Sequence, residues 1–138
     1  MTQDTDALRL WTQLTLVRDV RLARERRAVS EARMVVEHAA LGVQSARAAL
    51  ARHFVAEGAI VEACRREAPA SEGWLATLRA HRGEAPSLRH AIEEAARALD
   101  QAHGHAAQAL HRWERARFLH EDGGKRADVL RRRILDDD

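Results

Sequence analysis

Every seventh residue from position 8 to position 50 is Leu, Val or Thr: Leu8, Thr15, Leu22, Val29, Val36, Val43 and Leu50. The positions three further on include Ala32, Ala39 and Ala46. A repeat of seven draws a narrow apolar stripe along an α-helix, and such a stripe is stable only when another helix covers it. With Ala at alternate seam positions, the covering helix can approach more closely than across a Leu-Leu seam. The second half supplies a matching stripe. Leu88, Ala95, Ala102, Ala109 and Ala116 step by seven, with Ile92, Leu99, Ala106 and Trp113 at the alternate positions. It fades at His120 and recovers at Ala127 and Ile134.

The composition agrees with long helices rather than a globular core. Of 138 residues only 4% are aromatic, Tyr is absent, and two Pro and seven Gly leave few places to turn. Those breakers concentrate in "EAPASEGWLATLRAHRGEAPSL", where Pro69, Gly73, Gly83 and Pro86 interrupt helix propagation. Ser71 is positioned to cap a short helix carrying Trp74, Leu75 and Leu78, and Ser87 to cap the next long one. The expected fold is all-α: a long antiparallel two-helix coiled-coil hairpin forming one domain over residues 1–138. Its parts are a helix from about residue 5 to 67, a bent middle segment over 68–86 and a helix from about 87 to 135. At 1.5 Å per residue the helices would run roughly 90 and 70 Å. The alternative is a homodimer of open chains, because heptads do not fix oligomer state. A turn near residue 77 makes facing positions total about 153, setting Leu22 against Arg131 and Val43 against Leu110.

Most chemistry is excluded by spacing. Eight histidines invite a metal site, but none lies three or four residues from another, and His103 and His105 point apart on a helix. No metal or cofactor is therefore expected. "EDGGKRAD" (121–128) lacks the upstream Gly, and the Ser or Thr after Lys, of a phosphate loop. Gly123 and Gly124 read instead as a weak point or kink late in the second helix. Carboxylates are interspersed with Arg, and a two-helix hairpin has no concave site to desolvate a pair. Cys64 continues the seam as a small hydrophobe and rules out an internal disulfide. The expectation is a non-enzyme with no small-molecule substrate. No apolar run is long enough for a membrane span, the N-terminus has no secretory pattern, and a cytoplasmic setting follows.

Two features exceed what a plain hairpin requires. "VRDVRLARERR" (17–27) carries Arg18, Arg21, Arg24, Arg26 and Arg27, and the expected register sets beside it Lys125, Arg126, Arg131, Arg132 and Arg133. Both basic clusters then fall at the end holding the chain termini, although the formal net charge is only +2. At the opposite end Trp74, Leu75 and Leu78 gather at the bend. They either anchor a partner groove or fold back to plug the hairpin.

Size, the "LTLVRDVRLARERRAVSEARMVV" opening and the helix, bent middle, helix layout make the whole chain resemble the FliJ and YscO family, central stalk proteins of type III secretion systems. The resemblance implies an antiparallel coiled coil whose terminal end enters the pore of the hexameric export ATPase. Other parts touch the export gate and, in some members, secretion chaperones. It implies that Arg18, Arg21, Arg24, Arg26 and Arg27, with Arg131, Arg132 and Arg133, face the ATPase, and that Trp74, Leu75 and Leu78 contact the gate or a chaperone. It also implies association with the inner-membrane secretion apparatus without membrane insertion. The competing readings are a basic hairpin that binds nucleic acid, disfavoured by the scarcity of aromatics among the basic residues, and a general coiled-coil scaffold or chaperone escort.

Overall fold

The computed structural model describes residues 2–67 and 71–137, and is built of two long helices, α1 (Thr2–Arg66) and α2 (Glu72–Asp137), packed against each other. No strand occurs among the described residues, and none of their helices is long and apolar enough to cross a membrane. Contacts run antiparallel, as an all-α hairpin requires.

Local chemistry explains where the helices start and stop. Ser71 caps α2: its Oγ accepts the Trp74 N–H at 3.2 Å and its carbonyl accepts the Leu75 N–H at 3.1 Å. Arg65 and Arg66 sit in the last turn of α1, where cations suit the helix dipole. Thr12, Thr15 and Thr77 donate their hydroxyls back to the carbonyls of Leu8, Trp11 and Gly73, so each stays satisfied inside a helix.

The helix opened by Ser71 is not short. It runs through Gly83, Pro86 and Ser87 without a break, so the expected bent segment reaching to residue 86 and the helix start near 87 are both corrected. Pro69 lies outside the described residues. Pro86 removes one hydrogen bond to the Arg82 carbonyl and crowds it, at a cost of about 3 kcal/mol in a helix interior. The apolar side chains flanking it outweigh that cost: Leu78, Ala85, Leu88 and Ile92 are all half-buried while Pro86 itself faces solvent.

Moving the turn from residue 77 to the stretch between Arg66 and Glu72 resets the register. Contacting residues now carry numbers totalling 137 (Arg18 with Leu119, Glu25 with Arg112) or 139 (Asp19 with His120, Glu57 with Arg82). The expected pairings of Leu22 with Arg131 and Val43 with Leu110 are therefore corrected, and Arg131 and Leu110 are both exposed.

The chain divides into two compact units, residues 1–34 with 104–138 and residues 35–103. In the first, the register puts Leu22 level with Ala116, Val29 with Ala109 and Ala32 with Ala106. Val29, Ala109, Ala116 and Ala127 are buried, whereas Leu22, Ala32, Ala106 and Trp113 are half-buried. In the second, Val36 is level with Ala102, Val43 with Ala95 and Leu50 with Leu88, while Ala39 is level with Leu99 and Ala46 with Ile92. Val43 and Ala102 are buried and the other eight half-buried. Large side chains of one helix thus meet small ones of the other at most levels.

Gly123 belongs to this seam: α2 continues through it and it is buried. A Cβ there would lie 3.1 Å from Arg18 Nη1 and 3.4 Å from Thr15 Oγ1. Arg18 uses the vacated space to donate an Nη1 hydrogen bond, at 2.8 Å, to the carbonyl of Leu119, one turn before Gly123.

Candidate functional site

In the first unit the Arg residues expected to face a partner separate into three groups according to what their helix position lets them touch. Arg18 lies on the seam, half-buried, bonded to Leu119 and 5.6 Å from the Trp11 ring centroid. It is structural. Arg21, Arg24, Arg26 and Arg27 follow on the outer positions of α1, all exposed. Among the described residues none of these four has an ion-pair partner, and neither does Arg115 on α2. Of the acidic residues within reach, Glu25 pairs with Arg112 at 3.4 Å and Asp19 with His120, while Glu31, one turn beyond Arg27, forms no ion pair among the described residues. The result is a belt of uncompensated guanidinium groups.

Arg131, Arg132 and Arg133 form the third group, and the register separates them from the belt. They stand level with residues 5–7, beside Asp4 and Asp6, and Arg131 pairs with Asp128 at 3.0 Å. Position 24, at the middle of the belt, lies about 18 residues or roughly 27 Å further along the helix. The expectation of a single basic end holding both clusters is corrected: the belt sits inside the first unit, and the end with the termini mixes Arg with Asp.

Beside the belt lies an apolar face. Leu10, Leu16, Val17 and Val20 are each more than 60% exposed on α1, at spacings that place them on one side of the helix leading into Arg21 and Arg24. Val17 and Val20 line a shallow groove with Arg21, Arg24 and Glu25. The sequence reading missed this face because it followed only the seven-residue seam. Its signal was present as a second, shorter apolar spacing at 10, 16, 17 and 20.

The expected hydrophobic tip divides differently. Trp74 and Leu78 are half-buried and level with Cys64 and Ile60, so they close the seam of the second unit; only Leu75 is exposed. Cys64 is a free, half-buried thiol.

One polar group interrupts the seam of the second unit: His53 takes the next seven-residue step after Ala32, Ala39 and Ala46, while its partner across the seam is not legible from spacing. His53 on α1 is buried, and its ring stacks on that of His81 from α2, with centroids 3.7 Å apart and planes 4° from parallel. His81 Nε2 lies 2.7 Å from the backbone carbonyl of His53, and Glu84 Oε2 lies 3.8 Å from His53 Nδ1. His53 Nε2 has no hydrogen-bond partner.

No protein family, characterised protein or solved structure matches this chain.

Proposed function

We propose that this chain is a non-catalytic stalk protein of a type III secretion system that binds within the pore of the hexameric export ATPase, promotes its assembly and turnover, and links it to the export gate. The observation that carries this reading is the exposed Leu10, Leu16, Val17 and Val20 face running into the unpaired Arg21, Arg24 and Arg27. An apolar strip rimmed by fixed charge suits a protein surface with acidic loops. A phosphate backbone, the main contact of a nucleic-acid binder, gains nothing from exposed Leu and Val, so the nucleic-acid reading is less well supported.

Such a stalk performs no chemistry. It acts by binding one arrangement of ATPase subunits better than another, and can shift their equilibrium only by that difference in affinity. Arg suits the task because its planar fork pairs with carboxylates in two directions and keeps its charge at any physiological pH. With Arg131, Arg132 and Arg133 set apart by the register, the belt becomes the ATPase-facing element, and Leu75 is left as the exposed candidate for a gate or chaperone contact.

The test uses the purified export ATPase with this protein and its Arg21→Glu, Arg24→Glu, Arg27→Glu triple variant, all three positions being solvent-exposed. Stimulated turnover and a raised hexamer fraction, lost with a helical, folded triple variant, are the expected results. Equal stimulation by the triple variant would refute the belt as the contact. No stimulation, together with steeply salt-dependent DNA binding, would replace the reading with the nucleic-acid one.

A further inference from the structure

A buried imidazole without a hydrogen bond needs a reason. His53 is 6% exposed, its Nε2 has no partner, and its Nδ1 stands 3.8 Å from Glu84, beyond hydrogen-bond length. Leaving such a group unpaired inside a helix seam destabilises the fold relative to an apolar side chain of similar shape. Beside it, on the Nδ1 side of the ring, stand groups with the chemistry of metal ligands. Its own Nδ1 faces Glu84, and His81 has Nε2 engaged by the His53 carbonyl, which leaves the other nitrogen of that ring with a free lone pair. One potential ligand atom from each of His53, His81 and Glu84 lies within 4.8 Å of the other two.

We propose that His53, His81 and Glu84 form a binding site for a single divalent transition-metal ion that clamps α1 to α2 within the second unit. The inference is independent of the stalk reading. Two imidazoles and one carboxylate suit Zn2+, Ni2+ or Co2+ and not Mg2+ or Ca2+, which prefer oxygen ligands. Zn–N bonds of about 2.1 Å set two tetrahedral ligand atoms roughly 3.4 Å apart, so the cluster must contract by up to about 1.4 Å. One ring must also turn, because parallel rings cannot aim in-plane lone pairs at one point. The Cβ–Cγ torsion of histidine is broad, and His81, only half-buried, is the freer ring. Glu84 is exposed, which gives the ion an entry path and leaves its remaining positions to water.

The sequence concealed this site because its ligands come from different helices. His81 and Glu84 are three apart on α2, but His53 joins them only in the register in which α1 and α2 pack.

The experiment is calorimetric titration of the full chain with Zn2+ and Ni2+ at pH 7.5, with thermal unfolding followed by circular dichroism. His81→Phe preserves the ring stack without a ligand, Glu84→Gln removes the charge, and His90→Ala removes an exposed histidine paired with Glu93 and Glu94. The expected result is one ion per chain and a Tm raised by roughly 5–10 °C at 100-fold excess over Kd. Affinity should fall at least tenfold in His81→Phe and Glu84→Gln and hold in His90→Ala. Absence of binding, or binding that survives His81→Phe and disappears in His90→Ala, would overturn the site. All three variants replace partly or largely exposed side chains, and an unchanged helical spectrum shows that they fold.

Discussion

Replacing Gly123 by Ala tests whether Arg18 truly occupies the space of a missing side chain. An interior helical Gly is about 1 kcal/mol less favourable than Ala, so open positions gain by the exchange. Gly58 is such a position, with nothing within 4 Å of its added Cβ. At Gly123 the new Cβ would stand 3.1 Å from Arg18 Nη1, so the guanidinium must retreat by a few tenths of an ångström. That nitrogen is held at 2.8 Å by the Leu119 carbonyl, and a hydrogen bond to a charged group contributes about 1.5–3 kcal/mol. Losing about half of it or more cancels the propensity gain. Gly58→Ala should therefore stabilise the chain by about 1 kcal/mol, and Gly123→Ala should leave it unchanged or weaken it by up to about 1 kcal/mol. In an Arg18→Ala background the obstacle is gone, and Gly123→Ala should recover the gain. The cycle then yields a coupling of about 1–2 kcal/mol. Reversible urea unfolding followed at 222 nm, at constant m, measures each value. Equal stabilisation by Gly123→Ala with and without Arg18 would refute the close approach.

Two further predictions concern the helices themselves. Pro86→Ala, at an exposed position of α2, restores the hydrogen bond to Arg82 and should raise stability by up to about 3 kcal/mol in the same assay; a loss would mean that α2 depends on its proline. Ala109→Leu, at a residue 2% exposed, should overpack the seam against Val29 and cost about 1–3 kcal/mol, whereas Ala107→Leu, on the exposed side, should be near neutral.

The heptad positions from Leu22 to Leu50 and from Leu88 to Trp113 were legible because burial follows the seven-residue period that the eye can count. The register was not. It depends on whether Pro86 ends a helix, a contest between a local penalty and packing by Leu78, Ala85, Leu88 and Ile92 that residue propensities do not decide. Everything relying on the register changed with it: Arg131, Arg132 and Arg133 moved away from the Arg21 to Arg27 belt, Trp74 and Leu78 moved into the seam, and His53 met His81. The seam role of Arg18 was hidden for a different reason. A charged residue at a heptad position reads as a lapse in the pattern until the glycine opposite it is seen to supply the room.

The column of Val and Leu facing Ala has a built-in ambiguity. Slide one helix by seven residues and Val29 would meet Ala102 or Ala116 in place of Ala109, with nearly the same fit. Such layers supply adhesion while carrying little address. The distinguishing marks are the odd members of the series: Gly123 beneath Arg18, Glu25 against Arg112 and Asp19 against His120 in one unit, and Glu57 against Arg82 in the other. Each occurs once, and a seven-residue slip would strand a half-buried charge or bury a guanidinium against Ala116. These few imperfect contacts act as the vernier of the hairpin, selecting one alignment from several that the apolar layers alone would accept.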